Sequence, residues 1–176
     1  MKITLIRHTS VNVQSGICYG QSDIDVSSSF ETEALQVINI LQNTYFDAVF
    51  CSPLKRCRKL AGYCGFPEPV IDKRLMELNF GAWEMKAWLE IEDVQLQRWF
   101  DNWLEEAPTR GESFKEMTCR VAEFLTDLKK IPFHHVAIFT HAGVIRSVGI
   151  ITKKFSSMDA FDFKVEYGAC IEYILK

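Results

Sequence analysis

Two histidines, two arginines and one glutamate carry the chemistry this sequence offers. Arg7-His8 follows one short apolar run, Ser52-Pro53-Leu54-Lys55-Arg56 a second, and Thr140-His141-Ala142-Gly143 a third. Glu77 lies in Met76-Glu77-Leu78-Asn79-Phe80-Gly81. Taken singly, each says little: histidines after strands usually pack, and arginines in the first turn of a helix are usually solvated. Their joint placement at corresponding strand ends points to a site. In open α/β sheets, ligands bind beyond the carboxyl ends of the strands.

Such a set fits phosphoryl transfer. The transition state spreads negative charge over three oxygens, so positioning and electrostatic clamping are the protein's main tasks. Arg7 and Arg56 offer forked donors that match phosphate. His8 is the candidate nucleophile. It needs one bare ring nitrogen, and its other nitrogen then needs an acceptor such as a backbone carbonyl of the 8–20 loop. His141 is expected as a cationic clamp across the phosphate. The backbone N–H groups of Ala142 and Gly143, at a helix start, would support an anion. Glu77 is the candidate proton donor to the leaving alkoxide and then the base for water, with Phe80 and Trp83 excluding solvent. Neither a metal nor a cofactor is implied.

These residues need a scaffold. Residues 3–6 read as a buried strand, and the polar stretch 8–29 as a long loop of the kind that is usually functional. Ser28-x-x-Glu31 offers a capping box for a helix to about residue 43. A strand at 46–51 is followed by Ser52 as N-cap and Pro53 at the first helical position, predicting helix over 53–64. Residues 70–71 read as a brief strand and 75–80 as extended. The spacing predicts a helix over 86–104 whose aromatics (Trp88, Trp99, Phe100, Trp103) read as a core stripe, the alternative being a stacking platform for a base, with one of them reaching the site. Ser113-x-x-Glu116 opens a helix to about residue 130; a strand at 136–139, a helix at 142–150 and a strand at 169–175 complete the chain. Strands alternating with helices predict one domain over 1–176, a three-layer α/β/α sandwich around a mostly parallel sheet.

Composition narrows the partners. A net charge of −3 over 176 residues gives no basic footprint for nucleic acid or an anionic membrane, so local arginines must draw in any phosphate. No stretch approaches the roughly 18 apolar residues of a membrane span, and the run at 3–6 is too short for a signal-peptide core. Six cysteines without C-x-x-C spacing read as reduced thiols of a cytoplasmic protein, with Cys18 and Cys57 as packing residues. The expected partner is a small phosphomonoester. The oligomeric state stays open, with a homodimer among the options.

Four blocks, in order, resemble the histidine phosphatase superfamily and its phosphoglycerate-mutase-like fold: Arg7-His8-Thr9, residues 52–57, Glu77 to Trp83, and residues 140–146. The resemblance implies a phosphohistidine on His8 with Arg7, Arg56, Glu77 and His141 in the roles above. It also implies that Thr9, Gln14, Tyr19, Gly20 and Ala142 sit where substrate binds. Thr9 stands where glycine is usual, and Gln14 where asparagine is common. Residues 18–23, 80–84 and 108–113 resemble, more narrowly, alpha-ribazole phosphatases, which remove phosphate from alpha-ribazole 5′-phosphate in cobalamin nucleotide-loop assembly. The rivals are a broad sugar or glycerate phosphatase, a phosphoglycerate mutase and, from another class, a non-catalytic phosphate-binding module. The chain is short of the insertions that would sequester a mutase phosphoenzyme, and leaves little material for a lid.

Two features read more plainly. Adjacent residues on a strand face opposite sides, so His134-His135 reads as a turn before a strand and not as a metal pair. Glu112 reads either as a substrate contact or as a charge suited to a helix N-terminus.

Overall fold

Alternation along the central strands sends successive side chains into two separate cores. In the computed structural model, which describes residues 1–176, β1 (Lys2–Arg7), β2 (Ala48–Cys51), β3 (Val70–Ile71), β4 (His135–Thr140) and β5 (Cys170–Ile174) form one sheet in the order β3-β2-β4-β1-β5. The first four strands run parallel, and β5 lies antiparallel on the edge against β1. Ile6, Ala137 and Phe139 meet α1 (Phe30–Leu41) and α2 (Lys55–Tyr63) on one face. Ile3, Leu5, Val136 and Ile138 meet α4 (Phe114–Leu128) and α5 (Ala142–Ile151) on the other. The expected three-layer sandwich is present. Each fully buried aliphatic or aromatic side chain contributes roughly 1.5–3 kcal/mol, so the Met117, Val121, Phe124, Leu125 and Leu128 stripe seats α4 firmly.

Register then sets the site. Arg7 pairs with Thr140, and Cys51 with Phe139, so three parallel strands end at one level. The ladder continues one residue further, with His8 N donating to Thr140 O (3.1 Å) and Ser52 N to Phe139 O (2.9 Å). His8, Ser52 and His141 therefore leave the sheet side by side.

Several element boundaries differ from expectation. Ser29, and no capping box, precedes α1; Glu33 instead takes the Ser10 N–H (2.7 Å) and the Ser29 hydroxyl (2.5 Å), tying the long loop to the helix. Helix α2 begins at Lys55 and not at residue 53, because Asp23 of the loop accepts its first N–H (2.7 Å) while Ser52 is used elsewhere. The helix expected over 86–104 is a turn at Trp88–Glu90 followed by α3 (Val94–Asp101). Asp93 causes the break: its carboxylate caps Gln95 N (2.9 Å) and also takes the Trp83 indole N–H (2.7 Å). The Ser113–Glu116 capping box forms as expected.

Candidate active site

His8 is buried, and Nδ1 lies 2.7 Å from its neighbour's carbonyl, Thr9 O. A carbonyl only accepts, so Nδ1 carries the proton and Nε2 keeps its lone pair. Burial, then the Arg56 and Arg7 guanidiniums, hold the His8 pKa well below the usual imidazole value. The imidazole is neutral, as a nucleophile must be.

The two arginines come from opposite sides. Arg56, fully buried, donates through Nη1 to Ser22 O (2.8 Å) and through Nη2 to Gly20 O (2.5 Å), while its Nε has no partner. Arg7 donates to Val165 O, and its buried Nε is likewise unpartnered. Neither forms an ion pair, an arrangement costly to a buried cation unless an anion comes to it. Each guanidinium lies under a tyrosine: Arg7 is 3.9 Å from the Tyr167 ring centre and Arg56 is 5.7 Å from that of Tyr19. The two phenol oxygens are 2.8 Å apart, bridging the long loop to the segment before β5.

His141 is fully buried, with its ring 5.1 Å from that of His8 and Nε2 2.8 Å from the Ser52 hydroxyl. Burial, then Arg56 and His8, pull its pKa well below the ordinary value. Burial and four positive or titratable neighbours, Arg56, His8, Arg120 and Arg7, thus favour a neutral imidazole over the expected cation. Cys57 touches the same ring (Sγ–Nε2 3.5 Å), and burial pushes its thiol well up. Cys57 is a packing residue, as expected.

Glu77 is placed by a chain of braces. The Thr140 hydroxyl donates to Leu75 O (2.8 Å), and Arg120 to Glu77 O (3.0 Å). Glu112 holds Arg120 (2.7 Å) and Asn79 N (3.0 Å), which gives it a bracing role in place of a substrate contact. The Glu77 carboxylate accepts from Leu78 N (2.9 Å) and Gly143 N (3.2 Å). The Gly143 N–H expected to face phosphate is therefore committed to Glu77. A Cβ at Gly143 would stand 2.2 Å from Glu77 Oε1, so only glycine lets this carboxylate reach the helix.

A cavity of about 260 Å³ opens beside these groups. Arg7, His8, Glu77, Ala142, Gly143 and Arg146 line one end, and Leu78, Phe80, Trp88, Trp99, Phe114 and Phe161 much of the other. Trp88 and Trp99 stack at 5.7 Å and 22°. Trp88, Trp99 and Trp103 pack in or against the core as expected, and two of the four aromatics, Trp88 and Trp99, also reach the cavity.

Of the residues expected at substrate, Tyr19 and Ala142 line the cavity, whereas Thr9, Gln14 and Gly20 do not. Thr9 is fully buried and acts through its carbonyl. Gln14 is exposed over a neighbouring groove with Tyr19 and Tyr167. Gly20 lets the loop cross residue 78, where a Cβ would come within 1.8 Å of Leu78 O. Ser52, Arg146, Phe161 and Tyr167 were not foreseen. Helical spacing from Ala142 could have flagged Arg146; no periodic signal marks Phe161 or Tyr167. These two belong to the stretch between α5 and β5, which covers the site despite the scarcity of lid material expected.

No helix is long and apolar enough to cross a membrane, and no group of three or more His, Cys, Asp or Glu side chains is placed to hold a metal ion. The chain is 29% identical to the adenosylcobalamin/alpha-ribazole phosphatase of Salmonella typhimurium over 177 residues, covering 96% of this chain and 87% of that one. Its fold superposes on the crystal structure of the alpha-ribazole phosphatase from Shigella flexneri with a TM-score of 0.90 at 23% identity, covering 100% and 91% of the two chains. A phosphoglycerate mutase from Thermus thermophilus matches with a TM-score of 0.78 at 26% identity, covering 98% and 92%. Residues 3–174 match the family model of the histidine phosphatase superfamily, branch 1. With the bare imidazole, the unpaired arginines and the poised carboxylate at one sheet edge, that match over nearly the whole chain makes this protein a member of the histidine phosphatase superfamily.

Proposed function

We infer that this chain is a phosphomonoesterase that works through a phosphohistidine and hydrolyses alpha-ribazole 5′-phosphate. The observation that carries the substrate is the aromatic part of the cavity, where Phe80, Trp88 and Trp99 pack on one another and line the same space as His8. A leaving group with a planar, apolar ring fits there, and a small, highly charged glycerate does not. The alpha-ribazole phosphatase activity for which the Salmonella relative is named supports the same reading.

In the first half-reaction, Arg7 and Arg56 hold the phosphoryl oxygens and His8 Nε2 attacks phosphorus. The P–O bond to the leaving group breaks, and protonated Glu77 gives that oxygen its proton. The Nδ1–H···O bond to Thr9 supports the charge that develops on the ring. In the second, Glu77 takes a proton from water, the hydroxyl attacks phosphorus, and the P–N bond breaks to restore His8 and release phosphate. No step calls on a metal. The proposed setting is the cytoplasm.

Phosphate release from alpha-ribazole 5′-phosphate, beside sugar phosphates and phosphoglycerates in excess chelator, tests this. The expected result is a strong preference for alpha-ribazole 5′-phosphate that falls about 10⁴-fold or more in His8→Ala. Even, weak activity across the panel would withdraw the substrate, and activity retained in His8→Ala would remove His8 as nucleophile.

A further inference from the structure

Arg146 shares the cavity without belonging to the phosphate clamp. It stands on α5 four residues beyond Ala142 and three beyond Gly143, and all three line the cavity from one helix face. Two contacts fix its guanidinium: Nε donates to Phe163 O (3.2 Å), and Cζ lies 5.1 Å from the Phe161 ring centre. Neither Nη has a protein acceptor, and no carboxylate pairs with it. Its charged neighbours are Glu77 and Arg7, and burial lowers its pKa. A half-buried, planar cation with a pinned orientation and idle donors is prepared for oxygen acceptors on a ligand.

Position says which oxygens. Its charged neighbours Glu77 and Arg7 belong to the catalytic group, while its guanidinium lies against Phe161, which packs on Phe114. Arg7, the other cation beside Arg146, is taken up by the phosphoryl group in the reading above, so the idle donors of Arg146 meet the next part of the same ester. Neutral hydroxyl or ether oxygens accept from a guanidinium there without the cost of burying a second charge. In a nucleoside 5′-phosphate, the part between phosphate and ring is the sugar.

We propose that Arg146 is a specificity-determining residue that hydrogen-bonds the sugar oxygens of the leaving group. The proposal rests on the reading of the substrate as a nucleoside-type phosphomonoester. Arg146 then distinguishes sugar-bearing esters from simple aryl phosphates, while Arg7, Arg56 and His8 treat both alike.

The test compares wild type, Arg146→Met and Arg146→Lys on alpha-ribazole 5′-phosphate and on p-nitrophenyl phosphate, which has no sugar. Arg146→Met is expected to lower kcat/KM for the nucleoside phosphate about 10- to 100-fold, mostly through KM, as for loss of a charged hydrogen bond. Turnover of p-nitrophenyl phosphate should stay within about threefold, which also reports that the variant folds. Lysine keeps the charge but not the fork, and should recover only part of the loss. Dephosphorylated alpha-ribazole, used as a competitive inhibitor of p-nitrophenyl phosphate hydrolysis, should bind the Met variant about tenfold or more weakly. Equal loss on both substrates would make Arg146 part of the phosphate clamp and overturn the proposal, as would no loss on either. If wild type prefers another sugar phosphate, the substrate assignment fails by itself, and the same ratio on that ester decides the role of Arg146.

Discussion

The two ends of the cavity are built by different means. At the phosphate end, Arg7, His8, Ser52 and His141 stand at or one residue beyond parallel strands whose register is locked by the sheet. At the leaving-group end, Phe80, Trp88, Trp99 and Phe161 come from turns, one short helix and an irregular stretch. Chemistry that needs tight geometry rests on the ladder, and recognition rests on connections that change shape at little cost to the fold. The same scaffold can therefore keep its phosphoryl transfer while its substrate changes.

The sharpest way to break this comparison is to damage one end and look for trouble at the other. Arg56→Met should lower kcat/KM about 10²- to 10³-fold for every phosphomonoester alike, measured on nucleoside and aryl phosphates side by side. Because Arg56 is a buried cation with no counter-charge, the variant should unfold in urea no earlier than wild type. A loss confined to one substrate would contradict a shared clamp.

Between pH 7.5 and 5, acid should act mainly on the phosphate end, with a smaller part from His135 at the far end of β4, whose pKa burial also lowers. His8 and His141 have lowered pKa values when folded, while unfolded histidines titrate near 6.5. The unfolded chain therefore binds more protons below that pH. Stability from this source is complete above about pH 6.5 and is lost as pH falls toward the folded values, at up to about 1.4 kcal/mol per pH unit for each histidine. Urea titrations from pH 7.5 to 5 should show that slope, and His141→Gln should roughly halve it. A flat profile would mean the two rings are not held neutral.

The smallest effect belongs to the recognition end. Trp88→Ala should raise KM for alpha-ribazole 5′-phosphate about tenfold, the worth of one stacking partner, and leave aliphatic sugar phosphates nearly unchanged. Its acid slope should match that of wild type. A uniform loss of kcat would show that the two ends are not separable.

The same division explains what could be read from the sequence. His8, Arg56 and His141 follow apolar runs directly, so local pattern placed them on one edge. The layers followed from strands alternating with helices along the chain, with residues 3–6 and 136–139 as buried apolar runs. What escaped depends on contacts distant in the chain. Asp23 caps a helix that starts 32 residues later, which freed Ser52 for His141, and no local rule marks that exchange. The charge of His141 went the other way because its surroundings, full burial beside four positive or titratable groups, exist only once the sheet is assembled. Asp93 looked like one more polar residue in an aromatic helix until Trp83 claimed its other oxygen.

The tyrosine pair has a bearing on how product leaves. Arg7 and Arg56 lie against the faces of Tyr167 and Tyr19, whose hydroxyls are 2.8 Å apart, so a phosphate that draws the two guanidiniums toward itself competes with those contacts. Binding is then an exchange of partners and not a simple gain, and each cation–π contact given up subtracts roughly 0.5–2 kcal/mol. Inorganic phosphate, which has no ring or sugar to offset that loss, is held more weakly than two idle arginines would hold it. Product inhibition is softened by the same tyrosines that face the two arginines.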